Sequence, residues 1–355
     1  MITTIKRINR FFLLATGPLL GLLIALSFSG TNIDWSGKGN VITPKADIIQ
    51  TTNAVAKGLD QAKSNAKTTM TSIRKTAELY HKTTTTMSSI VTKAQTAAAR
   101  PEYIYNRRIS SKLGTPYESI HSDRIRIELY KLNPGTYRGY AMKVKLKEPN
   151  AMKMALGKDL VGGAETTKRV VDRYGAVAGI NAGGFADSRG KRYPLSTTVV
   201  NGKYVNGFQP SYKDLFFVGI SKTGKLIGGQ FDRKEDLDRL QPLYGASFVP
   251  ILLHNGQKAP IPLKWQVSPL RAPRTVIGNY RDDQLLILVV DGRDENGSSG
   301  ATLTELQNKL FAMGVQNAYN LDGGGSSSLI VGDTVINNPS DGALRPVPTH
   351  FLFFK

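Results

Sequence analysis

The sequence predicts a mixed α+β globular domain over residues 101–355, set behind an apolar amino-terminal segment and a long helical stalk. Three observations carry this reading. After residue 101 the chain breaks into short apolar or alternating runs bounded by Gly, Pro and Asn, which is strand texture. Only two well-patterned helices interrupt those runs, so the order is not a regular strand–helix–strand repeat. Residues 46–100, by contrast, are dominated by Ala, Thr, Lys, Ser and Gln, with weak apolar positions at helical spacing.

At the amino end, Lys6, Arg7 and Arg10 precede an uncharged stretch over residues 11–28, long enough to approach the hydrocarbon thickness of a bilayer. The basic flank is expected to stay in the cytoplasm and send the rest outside, giving a single-pass cell-membrane location with the carboxy-terminal domain outside the cell. Ser27-Phe28-Ser29 offers a small-residue cleavage site for the alternative, a removed signal peptide. In the stalk, Val55, Leu59, Ala62, Ala66, Met70, Ile73, Ala77 and Tyr80 recur at helical spacing. The segment reads as helical or partly disordered, either a spacer or a solvated linker, and a coiled coil with Ala and Thr at its seam would bury little. The expected division is therefore an anchor over 1–30, a stalk over 31–100 and a globular domain over 101–355. Within that domain, residues 125–130, 141–146, 176–180, 215–220, 284–290, 318–321 and 327–331 read as strands, and 165–174 and 303–313 as helices.

The net charge of +20 is spread over every segment and favours anionic partners without choosing among them. Nucleic acid is disfavoured, because no basic motif interleaved with aromatics is present. The absence of cysteine excludes a disulfide framework, a thiolate zinc site and a cysteine nucleophile. His81, His121, His254 and His350 are scattered without metal-ligand spacing, and no cofactor is expected with certainty. A calcium loop is a weak alternative: Asp294, Asn296, Ser298 and Glu305 fall at positions one, three, five and twelve, but Ser299 stands where such a loop needs glycine.

Chemistry concentrates at three Gly-rich strand ends: Asn181 to Phe185, Asp291-Gly292-Arg293, and Asn320 to Ser327. Polar residues followed by glycines are where backbone approaches a ligand closely. The glycine run is no phosphate-binding P-loop, since no Lys-Ser/Thr pair follows and it opens a strand. Asn181 and Asn320 each lie six residues after a glycine that ends a helix, a weak internal echo.

The order NAGGF, APRTVIG over residues 272–278, LLILVVDGR, TLTELQNKLFAMGVQNAYNLDGGGSSSL and NPSDG resembles the phosphodiester glycosidase family over roughly residues 120–355. The resemblance implies two β-sheets flanked by helices and a pocket at the strand ends named above. It also implies removal of a sugar from a sugar 1-phosphate diester. Carried over position by position, it marks Asn181 and Gly184, Arg274 with Thr275, Asp291 and Gly292, Glu305, and Asp322 through Gly323, Gly324 and Gly325 to Ser326; Gly183 and Arg293 stand beside these as substrate-binding candidates. Gly184-Phe185 departs from the family, where many members carry two aromatics.

Glycoside cleavage ordinarily uses a pair of carboxyl groups. Asp322 and Glu305 are the first choices for catalysis, with Asp291 and Asp341 behind them; acid, base and nucleophile roles stay open. A phosphate leaving group shifts weight from protonation to charge stabilisation, for which Arg274, Arg293 and Arg345 are candidates. Bland alternatives stand beside these: Glu305, three residues after Thr302, completes a capping box, and Asn181 bonds its own turn. The expected partner is a phosphate-containing glycopolymer such as a teichoic acid, capsule or exopolysaccharide, a layout suited to a Gram-positive bacterium. The rival readings are a non-catalytic phosphoglycan-binding module and a phosphodiesterase cleaving the P–O bond.

Overall fold

The computed structural model describes residues 45–292 and 300–355. The chain divides into two compact units, Met1–Ser88 and Ser89–Lys355. From residue 45 onward, the segment read as a stalk lies in one helix, α1 (Lys45–Leu113), which continues through Pro101. Threonine is a poor helix former, but here its hydroxyls turn back onto the helix: Thr69 and Thr76 donate to the carbonyls of Asn65 and Ser72 at 2.9 and 2.8 Å. The last turns of α1 bury Ile109 and Leu113 within the globular unit.

The single-pass cell-membrane location expected from the sequence is corrected: among the described residues no helix is long and apolar enough to cross a membrane. The physical reason lies in α1, whose Lys, Arg, Asp and Glu side chains recur along its length. Residues 11–28, on which the anchor was read, lie outside the described residues, and the Gram-positive layout has no support beyond that anchor.

The globular unit is mixed α+β, built of antiparallel sheets. An eight-stranded sheet runs in the spatial order Glu118–His121, Ile125–Leu132, Gly139–Leu146, Leu285–Val290, Arg274–Asn279, Asn317–Leu321, Ile251–His254, Gln257–Lys258. A five-stranded sheet orders Thr334–Val335, Leu329–Val331, Ala178–Asn181, Thr349–Phe353 and Met152–Leu156. A second five-stranded sheet is centred on Phe216–Ser221 and Pro242–Phe248, and Phe185–Ser188 with Lys191–Pro194 forms a separate hairpin. Two sheets were expected from the resemblance; the described residues form three and a ribbon.

The main core lies between these sheets. In Leu285–Val290 every residue is buried: Leu285, Ile287 and Val289 face that core, and Leu286, Leu288 and Val290 face a second one under the helix over Leu303–Met313. A run apolar at every position is what a strand covered on both faces requires. The remaining helices are α2 (Thr167–Tyr174), the short α3 (Lys234–Asp238) and α4 (Leu263–Val267), and α5 (Leu303–Met313). α2 and α5 end on Gly175 and Gly314 in the left-handed region, and each leads to a strand ending near Asn181 or Asn320. The internal echo is thus a repeated helix–Gly–strand unit, placed in two different sheets.

Candidate active site

The strand Asn317–Leu321 pairs with Arg274–Asn279 and delivers Asp322 to the end of the eight-stranded sheet, where Asp322 N donates to Ala182 O at 3.0 Å. Asn181 reaches the same point from the neighbouring sheet. Its Nδ2 donates to Asp322 O at 2.6 Å, and its Oδ1 accepts from Thr275 Oγ1 at 2.8 Å and from Ser328 N at 3.0 Å. Asn181 is fully buried. Its amide therefore cross-links two sheets and fixes the Gly-Ser turn; Thr275 is spent in the same network.

The carboxylate of Asp322 is less well supplied. Oδ1 accepts from Gly323 N at 3.0 Å, whereas Oδ2 is buried with no hydrogen-bond partner. The residue keeps some exposed surface, but that oxygen does not share in it. Burial pushes the carboxyl up to about 6, against the opposing influence of the Ser326 hydroxyl, the Gly323 N–H and the charges of Arg345 and Arg192. The Ser326 hydroxyl lies close enough to favour the anion without hydrogen-bonding alignment to Oδ2. An under-solvated carboxyl that titrates near neutrality, at a Gly-rich strand end, is equipped to exchange protons.

Two guanidinium groups bear on it. Arg345 is held by Asp341, Nη2 and Nε lying 2.7 and 3.1 Å from Oδ2, and its Nη1 is 3.5 Å from Ser326 Oγ. Arg192, on the hairpin, donates to Asp187 Oδ1 at 3.1 Å and to the Pro346 carbonyl, and lies 4.8 Å over the Phe185 ring. Gly325 leaves room for this pair: a Cβ there would run into the Asp341 carboxylate and the Arg345 guanidinium, so the pair would have to shift. Gly323 is likewise closed in, since a Cβ added to it would lie 2.8 Å from the Pro273 carbonyl oxygen.

The other sequence candidates lie apart from this turn or are already engaged. Glu305 forms the capping box of α5: Oε2 accepts from Thr302 N at 2.8 Å and Glu305 N donates to Thr302 Oγ1 at 3.0 Å. Its Oε1 also accepts from Arg271 Nη2 at 3.0 Å. Although burial acts to raise it, the Thr302 N–H and the Arg271 and Thr136 contacts hold its carboxyl below the usual value. Arg274 is buried and turns toward the Pro269 and Ala301 carbonyls, 3.0 and 3.5 Å away, and burial pulls it down to about 10. Asp291 Oδ1 accepts from Asn338 N at 2.7 Å, so it secures the loop carrying Asp341, and Gly292 packs under Ser340 and Pro273. Gly183 lies against the Ala246 methyl and the Ser247 backbone, with its N–H on Thr349 Oγ1 at 3.1 Å; Gly184 faces the Phe248 ring. Arg293, Asp294, Asn296 and Ser298 lie outside the described residues. Among the described residues no group of three or more His, Asp or Glu side chains is arranged to hold a metal ion.

Sequence reading missed Arg192, which sits in a hairpin without any motif, and Thr349; His350, read as structural or solvated, is a buried structural residue. His350 is fully buried: Nε2 contacts Val347 O at 3.1 Å, and Nδ1 contacts Thr167 Oγ1 at 3.1 Å. Thr167 Oγ1 in turn meets Ser328 Oγ at 2.7 Å, so this chain of contacts ends in the Gly-Ser turn. Burial pulls His350 down to about 4, leaving the ring neutral near pH 7. The visible signal was a polar pair opening an otherwise apolar strand.

A family profile described as phosphodiester glycosidase matches residues 174–354. The chain is 33% identical over 137 residues to the N-acetylglucosamine-1-phosphodiester alpha-N-acetylglucosaminidase of Bos taurus, covering 35% of this chain and 26% of that protein. It is 42% identical over 83 residues to the SPbeta prophage-derived uncharacterized protein YomE of Bacillus subtilis, covering 23% of this chain and 13% of that one. The match thus spans about a quarter or less of either relative. Among solved structures, the zebrafish N-acetylglucosamine-1-phosphodiester alpha-N-acetylglucosaminidase catalytic domain, auto-inhibited by its pro-peptide, superposes with a TM-score of 0.52 at 20% identity. That superposition covers 68% of this chain and 86% of that one, and supports the shared fold.

Proposed function

This chain belongs to the phosphodiester glycosidase family, and we propose from that premise that it hydrolyses the glycosidic C–O bond of a sugar 1-phosphate diester. The observation that carries the proposal is the Asp322 carboxyl, with one buried oxygen lacking a partner and a value pushed up to about 6, beside Arg345 and Arg192. In this reaction water bonds to the anomeric carbon, the C1–O bond breaks, and its electron pair leaves on a phosphate monoester. That leaving group is already stable as an anion, so the demand for proton transfer falls on the incoming water. Asp322 takes that proton as general base and returns it to solvent.

Arg345 and Arg192 supply positive charge where the phosphate gains negative charge. Glu305 and Arg274 support the architecture in this reading, with Arg274 bracing the strand beneath the turn. The substrate class we favour is a phosphate-containing glycopolymer of the teichoic acid, capsule or exopolysaccharide kind, in keeping with the basic charge of +20.

The test is turnover of an N-acetylglucosamine 1-phosphate diester by the full chain in oxygen-18 water. Label in the free sugar is expected. Label in the phosphate would assign P–O cleavage instead, and binding without turnover would assign a phosphoglycan-binding module.

A further inference from the structure

The described part of the first unit consists of α1 alone, and every α1 residue from 50 to 98 is exposed, including apolar side chains that a soluble helix ordinarily covers. Leu59 is 69% exposed and Tyr80 76%. Most of those side chains follow one frame, with Met70, Leu79 and Val91 on its flanking positions. Leu59, Ala66, Ile73, Tyr80, Met87 and Ala94 recur every seven residues, and a second series at the same spacing runs from Val55 to Ala97 as Val, Ala, Thr, Thr, Thr, Ile, Ala. The two series alternate in steps of four and three, the a and d pattern of a left-handed coiled coil.

Charge respects the same frame. Between Val55 and Ala97 no Lys, Arg, Asp or Glu occupies either series. Lys57, Asp60, Lys67, Arg74, Lys75, Glu78 and Lys82 all fall on the outward b, c and f positions, and only Lys63 and Lys93 flank the seam. The threonines fit it too. The Thr69 and Thr76 hydroxyls are bonded to their own helix, so neither is carried unsatisfied into an apolar contact.

We propose that α1 is the dimerisation element of this protein, its seam packing along the same seam of a second copy over about 63 Å at 1.5 Å per residue. A second copy is the occupant the pattern specifies. A partner for this face needs a matching seven-residue repeat of the same length, with small residues where this chain has small ones, and α1 itself meets that requirement. The excess of Lys and Arg on b, c and f argues for two strands, since two-strand packing keeps those positions facing water and the like charges apart. The small Ala and Thr side chains make the seam narrow, so dimerisation is expected to be concentration-dependent and not permanent.

The experiment is sedimentation of the full chain across a dilution series, with circular dichroism of the same samples. Wild type is expected as two chains at high concentration, losing mass and helical signal together on dilution. Ile73→Glu and Met87→Glu, each placing like charges within the seam, are expected to weaken association by roughly a hundredfold or more. Lys75→Glu, on an outward position, is expected to leave it unchanged. A chain that is monomeric throughout, a mass other than two chains, or a dimer indifferent to Ile73→Glu and Met87→Glu would overturn the proposal. So would a monomer that binds anionic vesicles through these positions, which would give the face to a lipid surface. Glycosidase activity is measured alongside; its loss in wild type would bear on the hydrolase reading and leave the dimer test intact.

Discussion

Asp322→Asn removes a negative charge that the fold holds at a cost, and the cost follows from the displacement of its carboxyl. Burial moves the group from an ordinary 3.8 to about 6. The folded protein then keeps a proton that the unfolded chain has already released, so stability falls as pH rises from about 3.8 to about 6 and stays reduced above that. At about 1.4 kcal/mol per pH unit, the charge costs about 3 kcal/mol at neutral pH.

Asparagine retains an acceptor for Gly323 N but puts an amide nitrogen where Oδ2 has no partner, a pH-independent cost of about 1–3 kcal/mol. The variant is therefore expected to equal or exceed wild type in stability above pH 7 and to fall below it in acid, while losing activity. Denaturant unfolding of both proteins across this range measures the gap directly. It should open by about 3 kcal/mol in favour of the variant between acid and neutral pH. A gap that does not change with pH would refute the reasoning.

Four further outcomes follow from the same geometry. Glu305→Gln keeps a capping-box partner and loses the Arg271 ion pair, so it should cost about 1 kcal/mol and leave kcat/KM within about threefold; a loss of about a hundredfold would return Glu305 to the catalytic machinery. Gly325→Ala drives a methyl into Asp341 and Arg345, and should lower kcat/KM by about tenfold or more with little change in Tm, as steady-state kinetics and thermal melts will show. Asn181→Ala breaks three buried hydrogen bonds and should cost about 3–5 kcal/mol in denaturant unfolding. His350, held down at about 4, takes its proton more readily once unfolded, so its contribution is lost as pH falls from about 6.5 to 4, to the extent of about 3 kcal/mol. That term runs opposite to the Asp322 term, so it should emerge cleanly when His350→Gln is compared with wild type across acid pH.

Much of the fold was legible because it is written in local pattern. The run over residues 285–290 is apolar at every position and becomes the strand buried on both faces; Thr302, Glu305 and Gly314 bracket α5 as start and stop signals. What local pattern does not contain is which surfaces meet. The second five-stranded sheet forms from short runs joined by tight turns, and nothing in them announces a separate sheet. The site divided along the same line. Asp322 and its glycines were recognisable, as were Asp341 and Arg345, but the state of its carboxyl depends on its burial and on the charge of Arg192, brought in from a distant part of the sequence. Glu305 was ambiguous for a physical reason: a helix-capping glutamate and a catalytic one leave the same spacing, and here Thr302 and Arg271 both engage its carboxylate. Arg192 left no sequence signal, because its place is set by the fold of its hairpin onto Pro346.

The central claim, that Asp322 is the group exchanging a proton in the reaction, is tested most directly by the pH dependence of kcat/KM on a sugar 1-phosphate diester for wild type and Asp322→Asn. Wild-type activity should rise through a limb near pH 6 and then level, as the base form of Asp322 accumulates. The variant should lose that limb and about a hundredfold or more of the rate. A limb near 6 that survives in Asp322→Asn, or a variant that retains the wild-type rate, would contradict the account.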